Sequence, residues 1–203
     1  MIRQSVFFGS IIAAVLAAHT TPAGDTPGAI SGTVKITGLA SNADAVVYLQ
    51  EAPGTFLAAK PANMDQRSMK FIPHVLPILV GTTVKFLNSD PTQHNVFSPD
   101  NEKYNLGTWP QGQTKDYTFG KCAKAPCVYT QLCRIHPEME AFIVVLQNPY
   151  FGVTDQGGKY EIANVPAGRY VLAAWHAKGK APSKPVSVET GKPLTVDLVL
   201  TSR

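Results

Sequence analysis

What this 203-residue chain lacks narrows its possible roles first. Only 16% of its residues are charged, and Lys and Arg form neither runs nor a basic patch interleaved with aromatics. That argues against nucleic-acid binding. The formal net charge of +4 is a mild basic excess, enough to help steer docking onto an acidic partner. No phosphate-loop or dinucleotide-fold glycine pattern occurs, and no Ser-His-Asp arrangement stands out, which removes the commonest enzyme classes. Past the first residues, no apolar run approaches the roughly 20 residues that cross a bilayer. No helix longer than a turn or two is evident, and there is no repeat array. Histidine, methionine and cysteine are sparse, at five, four and three residues.

What is present reads as an exported β-protein. Met1-Ile2-Arg3-Gln4 carries one positive charge and precedes an apolar stretch over residues 5–18, followed by small residues. Residues 1–18 therefore read as a secretory signal peptide with cleavage between about 17 and 23; the alternative is a membrane anchor. Export, to the periplasm if the source is bacterial, leaves a soluble mature chain without stable membrane insertion, in a compartment that permits disulfides. Apolar residues make up 44% of the chain, and sixteen Gly and sixteen Pro imply many turns. The length allows one large or two small domains.

The stretch that carries chemistry is Cys133-Arg134-Ile135-His136-Pro137-Glu138-Met139. A thiolate, an imidazole and a thioether recur three residues apart, where Pro137 suits a loop and not a central strand. Residues three apart lie about 10 Å from one another when extended, so the segment must fold back for all three to reach one ion. A thiolate, two imidazoles and a weak axial thioether form the trigonal site of one-electron copper chemistry. The second imidazole then has to come from elsewhere. His94 is the best candidate, since Asn88 to Pro91 breaks the preceding strand and leaves it at a strand end beside a loop.

Three cysteines fit this reading if one binds metal and two pair. Residues 127–133 read as a strand, which would hold Cys127 and Cys133 roughly 20 Å apart, beyond the Cα separation of about 7 Å that a disulfide allows. Cys122 and Cys127 flank Ala-Lys-Ala-Pro, which can turn, so they form the expected disulfide and leave Cys133 free. The alternative is two free surface thiols.

Strand signals run along the chain. Residues 29–36 and 44–50 are β-branched segments separated by turn formers. Residues 51–62, rich in Ala, Pro and Gly, read as a linker, with a boundary near residues 56–61. Two strands around a Val80-Gly81 turn follow within residues 69–88, then short strands at 117–119, 128–133 and 142–146. Residues 152–162 read as a hairpin on Asp155-Gln156-Gly157-Gly158, residues 169–176 as a strand, and residues 185–200 as a last hairpin turning at Gly191. The pattern is all-β sandwich.

With these residues in view, Asn88-Ser89-Asp90 leading to His94-Asn95-Val96-Phe97, then Cys133-x-x-His136-Pro137-x-Met139 before a strand, resembles the cupredoxins, most closely the short-loop amicyanin type. The resemblance covers about residues 64–146 and implies a Greek-key β-sandwich holding one type 1, or blue, copper ion for electron transfer. By it, His94, Cys133 and His136 are the strong ligands and Met139 the axial one. It also implies that Asn95 braces the ligand loop from outside the ligand set, and that His136 is the electron port. The flanks resemble a second, smaller sandwich of the carboxypeptidase regulatory-like, transthyretin-like type, through residues 154–160 and 164–170. Residues 24–57 and 149–203 are thus expected to form one discontinuous domain, with a copper domain at 58–148 inserted. The order is similar to plastocyanin-like exported proteins labelled methylamine utilization proteins, a label that establishes no pathway. The Cys122–Cys127 segment looks like an addition near the site.

The expected role is carriage of single electrons between a redox donor and acceptor, not enzymatic turnover, because an oxidase or reductase needs an open coordination position or further metals. His74 and His176, in separate candidate strands, read as surface or core residues, and Trp109 and Trp175 as core or rim aromatics. Zinc is the rival ion, but a structural zinc site takes four strong ligands. The other function classes are a copper chaperone or storage protein, which would favour Met-rich or multi-Cys sites, and a module binding a partner or carbohydrate through the flanking sandwich.

Overall fold

The computed structural model describes residues 26–58, 60–180 and 183–202, so the segment read as a signal peptide lies outside the described residues. The first strands are β1 (Gly28–Ile36), β2 (Val46–Leu49), β3 (Ala62–Gln66), β4 (Phe71–Ile72), β5 (Val75–Leu79) and β6 (Thr83–Asn88). Next come β7 (His94–Ser98), β8 (Tyr104–Trp109), β9 (Thr114–Thr118), β10 (Cys127–Leu132), β11 (Glu140–Leu146) and β12 (Phe151–Val153). The last are β13 (Lys159–Val165), β14 (Gly168–His176), β15 (Gly179–Lys180), β16 (Lys184–Val188), β17 (Pro193–Thr195) and β18 (Leu198–Ser202). The protein is all-β, with no helix among the described residues.

The strands sort by chain region. One nine-stranded sheet takes both ends of the chain, in the order β12-β2-β14-β15-β18-β1-β13, with β16 on β14 and β17 on β1. The middle of the chain forms a five-stranded sheet, β5-β11-β10-β7-β8, facing a four-stranded one, β4-β3-β6-β9. Met64 and Phe86 from the smaller sheet pack in one core with Val96, Tyr129, Ile143 and Val145 from the larger. A second core gathers Ile30, Leu49, Ile162, Leu172 and Leu200 within the nine-stranded sheet.

Strand β11 explains how the two bodies meet. Six of its seven residues, Ala141 to Leu146, are buried, which is why it reads as a continuous apolar run and not as an alternation. Successive side chains point to opposite faces. Ala141, Ile143 and Val145 enter the core between the two middle-chain sheets. Phe142, Val144 and Leu146 pack on Val46, Tyr48 and Ala173 of the nine-stranded sheet. One strand thus supplies both the ladder beside Cys133 and the joint between the bodies.

Several expectations are corrected. Residues 152–162 do turn at Asp155, where Gly158 N–H donates to Asp155 O at 2.9 Å. Gly158 has φ 84°, and a Cβ there would lie 2.2 Å from Val34 O. The strands around that turn do not pair, however: β12 pairs with β2 and β13 with β1. The last hairpin is likewise absent, since β16 pairs with β14 while β17 and β18 run parallel to β1. Around Val80-Gly81 the chain crosses between sheets, β5 pairing with β11 and β6 with β3 and β9. In each case a correct turn was read as local pairing, where burial of an apolar face sends the next strand to a distant partner. The strand expected at 117–119 is β9, at Thr114–Thr118.

Cys122 and Cys127 form a disulfide, with Cα atoms 5.7 Å apart. It is not near the ligand loop. Cys127 opens β10 and Cys133 follows its end, so about 20 Å of strand separates them. Replacing both cysteines by alanine should lower stability by about 2 kcal/mol in the chain-entropy model for a six-residue loop, as read by urea unfolding. Any metal-dependent absorption of the protein should stay unchanged. A spectral change would show that the disulfide loop reaches the site.

Candidate metal centre

Three segments converge at one end of the middle-chain sandwich. β7 begins at His94, β10 ends just before Cys133, and the loop 133–139 returns the chain into β11. In that loop Met139 N–H donates to His136 O at 3.0 Å, the fold-back that the spacing required. The Arg134 guanidinium lies 5.1 Å from the centre of the Phe97 ring, a cation–π contact that ties the loop to β7.

Among the described residues, His94, Cys133 and His136 place one donor atom each within 4.8 Å of one another. His94 Nδ1 is 2.9 Å from His136 Nδ1, and Cys133 Sγ is 3.8 Å from the same nitrogen. His94 is fully buried and Cys133 is 3% exposed, whereas His136 is half-buried. Met139 is buried in the same cluster as Cys133, Val96 and Trp109. The group could hold one metal ion, and its donors, a thiol and two imidazoles beside a thioether, are those of soft to intermediate metals.

The main chain and one carboxylate fix this group. Asn95 N–H points at Cys133 Sγ from 3.4 Å. The Asn95 side chain donates to Gly107 O at 2.7 Å and to Asn105 Oδ1 at 2.9 Å, while its oxygen accepts from Arg134 N–H at 3.4 Å. Asn95 therefore joins β7, β8 and the start of the loop. His94 Nε2 lies 2.9 Å from Asp90 Oδ2. With the carboxylate ionised, that nitrogen carries the proton, and Nδ1 presents its lone pair to the centre.

Asp90 is a functional residue to which the sequence alone assigned no role. It also accepts from Ser68 N–H at 2.6 Å and Met69 N–H at 2.9 Å, a tight turn in which both residues have positive φ, 54° and 59°. Burial pushes its carboxyl up, but the N–H of Met69, the His94 ring and the N–H of Ser68 outweigh it and hold the group below its ordinary value of 3.8. The signal was available: an acidic residue four before a candidate ligand, next to a proline that forces a turn. The place of Trp109 beside the centre was also missed. It faces His94 across the β7–β8 ladder, and its indole N–H is buried without a partner.

His74 and His176, expected apart, line one cavity of about 310 Å³ with Asp44 and Glu140 at the joint between the bodies. Burial pushes the His176 imidazole down, with Asp44 opposing.

No family model and no curated protein matches the chain. Among solved structures, a Cu-containing nitrite reductase (NirK) from Thermus scotoductus SA-01 is 25% identical over 57% of this chain and 28% of its own, with a TM-score of 0.40. The chain thus spans about a quarter of that enzyme. A novel purple cupredoxin from Nitrosopumilus maritimus is 25% identical over 41% of this chain and 98% of its own, with a TM-score of 0.36. The Cu(I) form of an amicyanin variant is 23% identical over 50% of this chain and 98% of its own, with a TM-score of 0.39. At these TM-scores the likenesses carry no argument, and the functional reading rests on the chain's own residues.

Asp90→Asn removes the charge and one acceptor. It should cost about 1.5–3 kcal/mol at neutral pH, as for a hydrogen bond to a charged group, measured by urea unfolding. A depressed folded-state value makes that stabilisation complete above the ordinary 3.8 and lost as pH falls through the lower folded value. The gap between parent and variant should therefore close in acid. A gap constant with pH would show that the charge contributes nothing.

Proposed function

We propose that the chain holds one copper ion through His94, Cys133 and His136, with Met139 as the weak axial ligand, and carries single electrons between redox partners. The observation that carries this reading is the buried convergence of one thiol and two imidazoles within 4.8 Å. Three strong donors and a thioether suit a trigonal copper site; a structural zinc site takes four strong ligands.

When bound, copper supplies a one-electron couple. The residues do the rest. Cys133 binds as thiolate, its proton displaced by the metal, and the Asn95 N–H holds its sulfur in place. Asp90 fixes the ring of His94, and the β7–β8–β10–β11 ladder fixes the positions from which all ligands project. Ligands held in this way need not move when the charge on the centre changes. His136, half-buried where the others are buried, is the proposed port for electrons. With Met139 in place no coordination position stays open for a substrate, which favours a carrier over an enzyme.

The wider reading is proposed on the same terms. Residues 58–148 form the copper-binding, cupredoxin-type sandwich, and residues 24–57 with 149–203 form a discontinuous carboxypeptidase regulatory-like one; the separate sheets and cores support this division. The donor and acceptor are redox proteins, and the basic excess favours acidic docking faces. Export to the periplasm is supported by the leader-like first residues and by the disulfide, which an oxidising compartment preserves. Among the described residues no helix is long and apolar enough to cross a membrane.

Adding Cu(II) to the purified protein should produce an intense visible thiolate-to-copper band that Cys133→Ser abolishes. Met139→Leu should keep the band and raise the reduction potential, measured by redox titration. A colourless parent would overturn the electron-carrier reading, and loss of copper from Met139→Leu would overturn the axial assignment.

A further inference from the structure

We infer that the groove on the Met139 side of the centre is a capture site for copper ions on their way in, with His74 as its anchoring ligand. This rests on the copper reading of the centre. The groove has a volume of about 310 Å³ and is lined by Met69, His74, Glu138, Met139 and Glu140, with Lys70 as its one cation. An imidazole, two carboxylates and an exposed thioether are donors that copper accepts in both of its oxidation states. Two carboxylates outweigh one ammonium, so the groove attracts a cation.

His74 is prepared as a ligand. Its Nδ1 lies 2.7 Å from Asp44 Oδ2. The carboxylate takes the N–H, leaving Nε2 with a free lone pair, the arrangement in which metal-binding histidines are held. The ring stands edge-on to Phe142, with centroids 5.6 Å apart at 81°, and its main-chain oxygen accepts Phe142 N–H at 2.9 Å. The side chain is nevertheless 49% exposed, open to an arriving ion. Asp44 precedes β2 of the nine-stranded body, so the ligand from one body is oriented by a carboxylate from the other.

The groove is looser than the centre. Among the described residues, only His94, Cys133 and His136 gather three such donors within 4.8 Å. A capture site has to release its ion, and separated donors do that. Met139 links the two places: it lines the groove and is buried in one cluster with Cys133. An ion leaving the His74 imidazole therefore meets the thioether of Met139 next and the thiolate beyond it.

The test adds a second equivalent of Cu(II) to protein whose centre is already loaded. Electron paramagnetic resonance should show a second, nitrogen-coordinated copper without a thiolate band. His74→Asn should lose it, and Asp44→Asn should weaken it about tenfold, as loss of a partner behind a ligand does. In stopped-flow loading of the apoprotein, His74→Asn and Glu140→Gln should reach the parent's final spectrum about tenfold more slowly. Loading rates equal to the parent's, with second-ion binding indifferent to His74, would overturn the capture site. Cys133→Ser protein, which cannot form the thiolate centre, should still give the His74-dependent signal. Failure of the groove and failure of the centre are therefore separately visible.

Discussion

The metal centre depends on one main-chain contact, the Asn95 N–H lying 3.4 Å from Cys133 Sγ. A buried sulfur beside two imidazole nitrogens is a costly arrangement unless something other than the ligands holds it. Here β7 approaches the end of β10, where Leu132 pairs with Phe97, and the Asn95 side chain carries the link on to β8 and to Arg134. His94 and Cys133 are brought together by sheet register. Only His136 and Met139 depend on the loop, and its turn is closed by its own hydrogen bond.

The same economy appears in β11. Its odd-numbered positions from Ala141 fill the core behind the ligands, and its even-numbered positions form the joint with the nine-stranded sheet. A single strand leaves the ligand loop and enters both cores, so a displacement at the joint is felt close to Met139. The joint is apolar at its centre, with Phe142 and Trp175 5.3 Å apart, and polar at its rim, where Asp44 meets His74. This geometry gives the flanking body a physical role at the metal site, holding an imidazole at the mouth of the groove.

The sequence made the ligands legible because their chemistry is rare and their spacing is short. Cys133, His136 and Met139 announce themselves within seven residues, and His94 follows from the need for a second imidazole. The disulfide was legible from strand length alone. Strand identity was read well where side chains alternate or run apolar. It failed at Tyr104–Trp109, whose Asn105 and Gly107 break the pattern although the segment is the edge strand facing His94. Pairing was least legible. Hairpins inferred from Gly157-Gly158 and Gly191 assume that neighbours in sequence pair, whereas burial in a curled sheet assigns β12, β13 and β16 to distant partners. Asp90 with His94, and His74 with Asp44, are pairs whose association only the folded chain displays.

The central claim is that the scaffold, not the metal, sets the positions of the ligands. X-ray absorption at the copper edge, on the oxidised and the reduced protein, tests it most directly. Superimposable copper–sulfur and copper–nitrogen distances in the two states are expected if Asn95, Asp90 and the strand ladder fix the ligand set. A reduced state that lengthens or drops a histidine bond would contradict it, and would mean that the metal organises the loop.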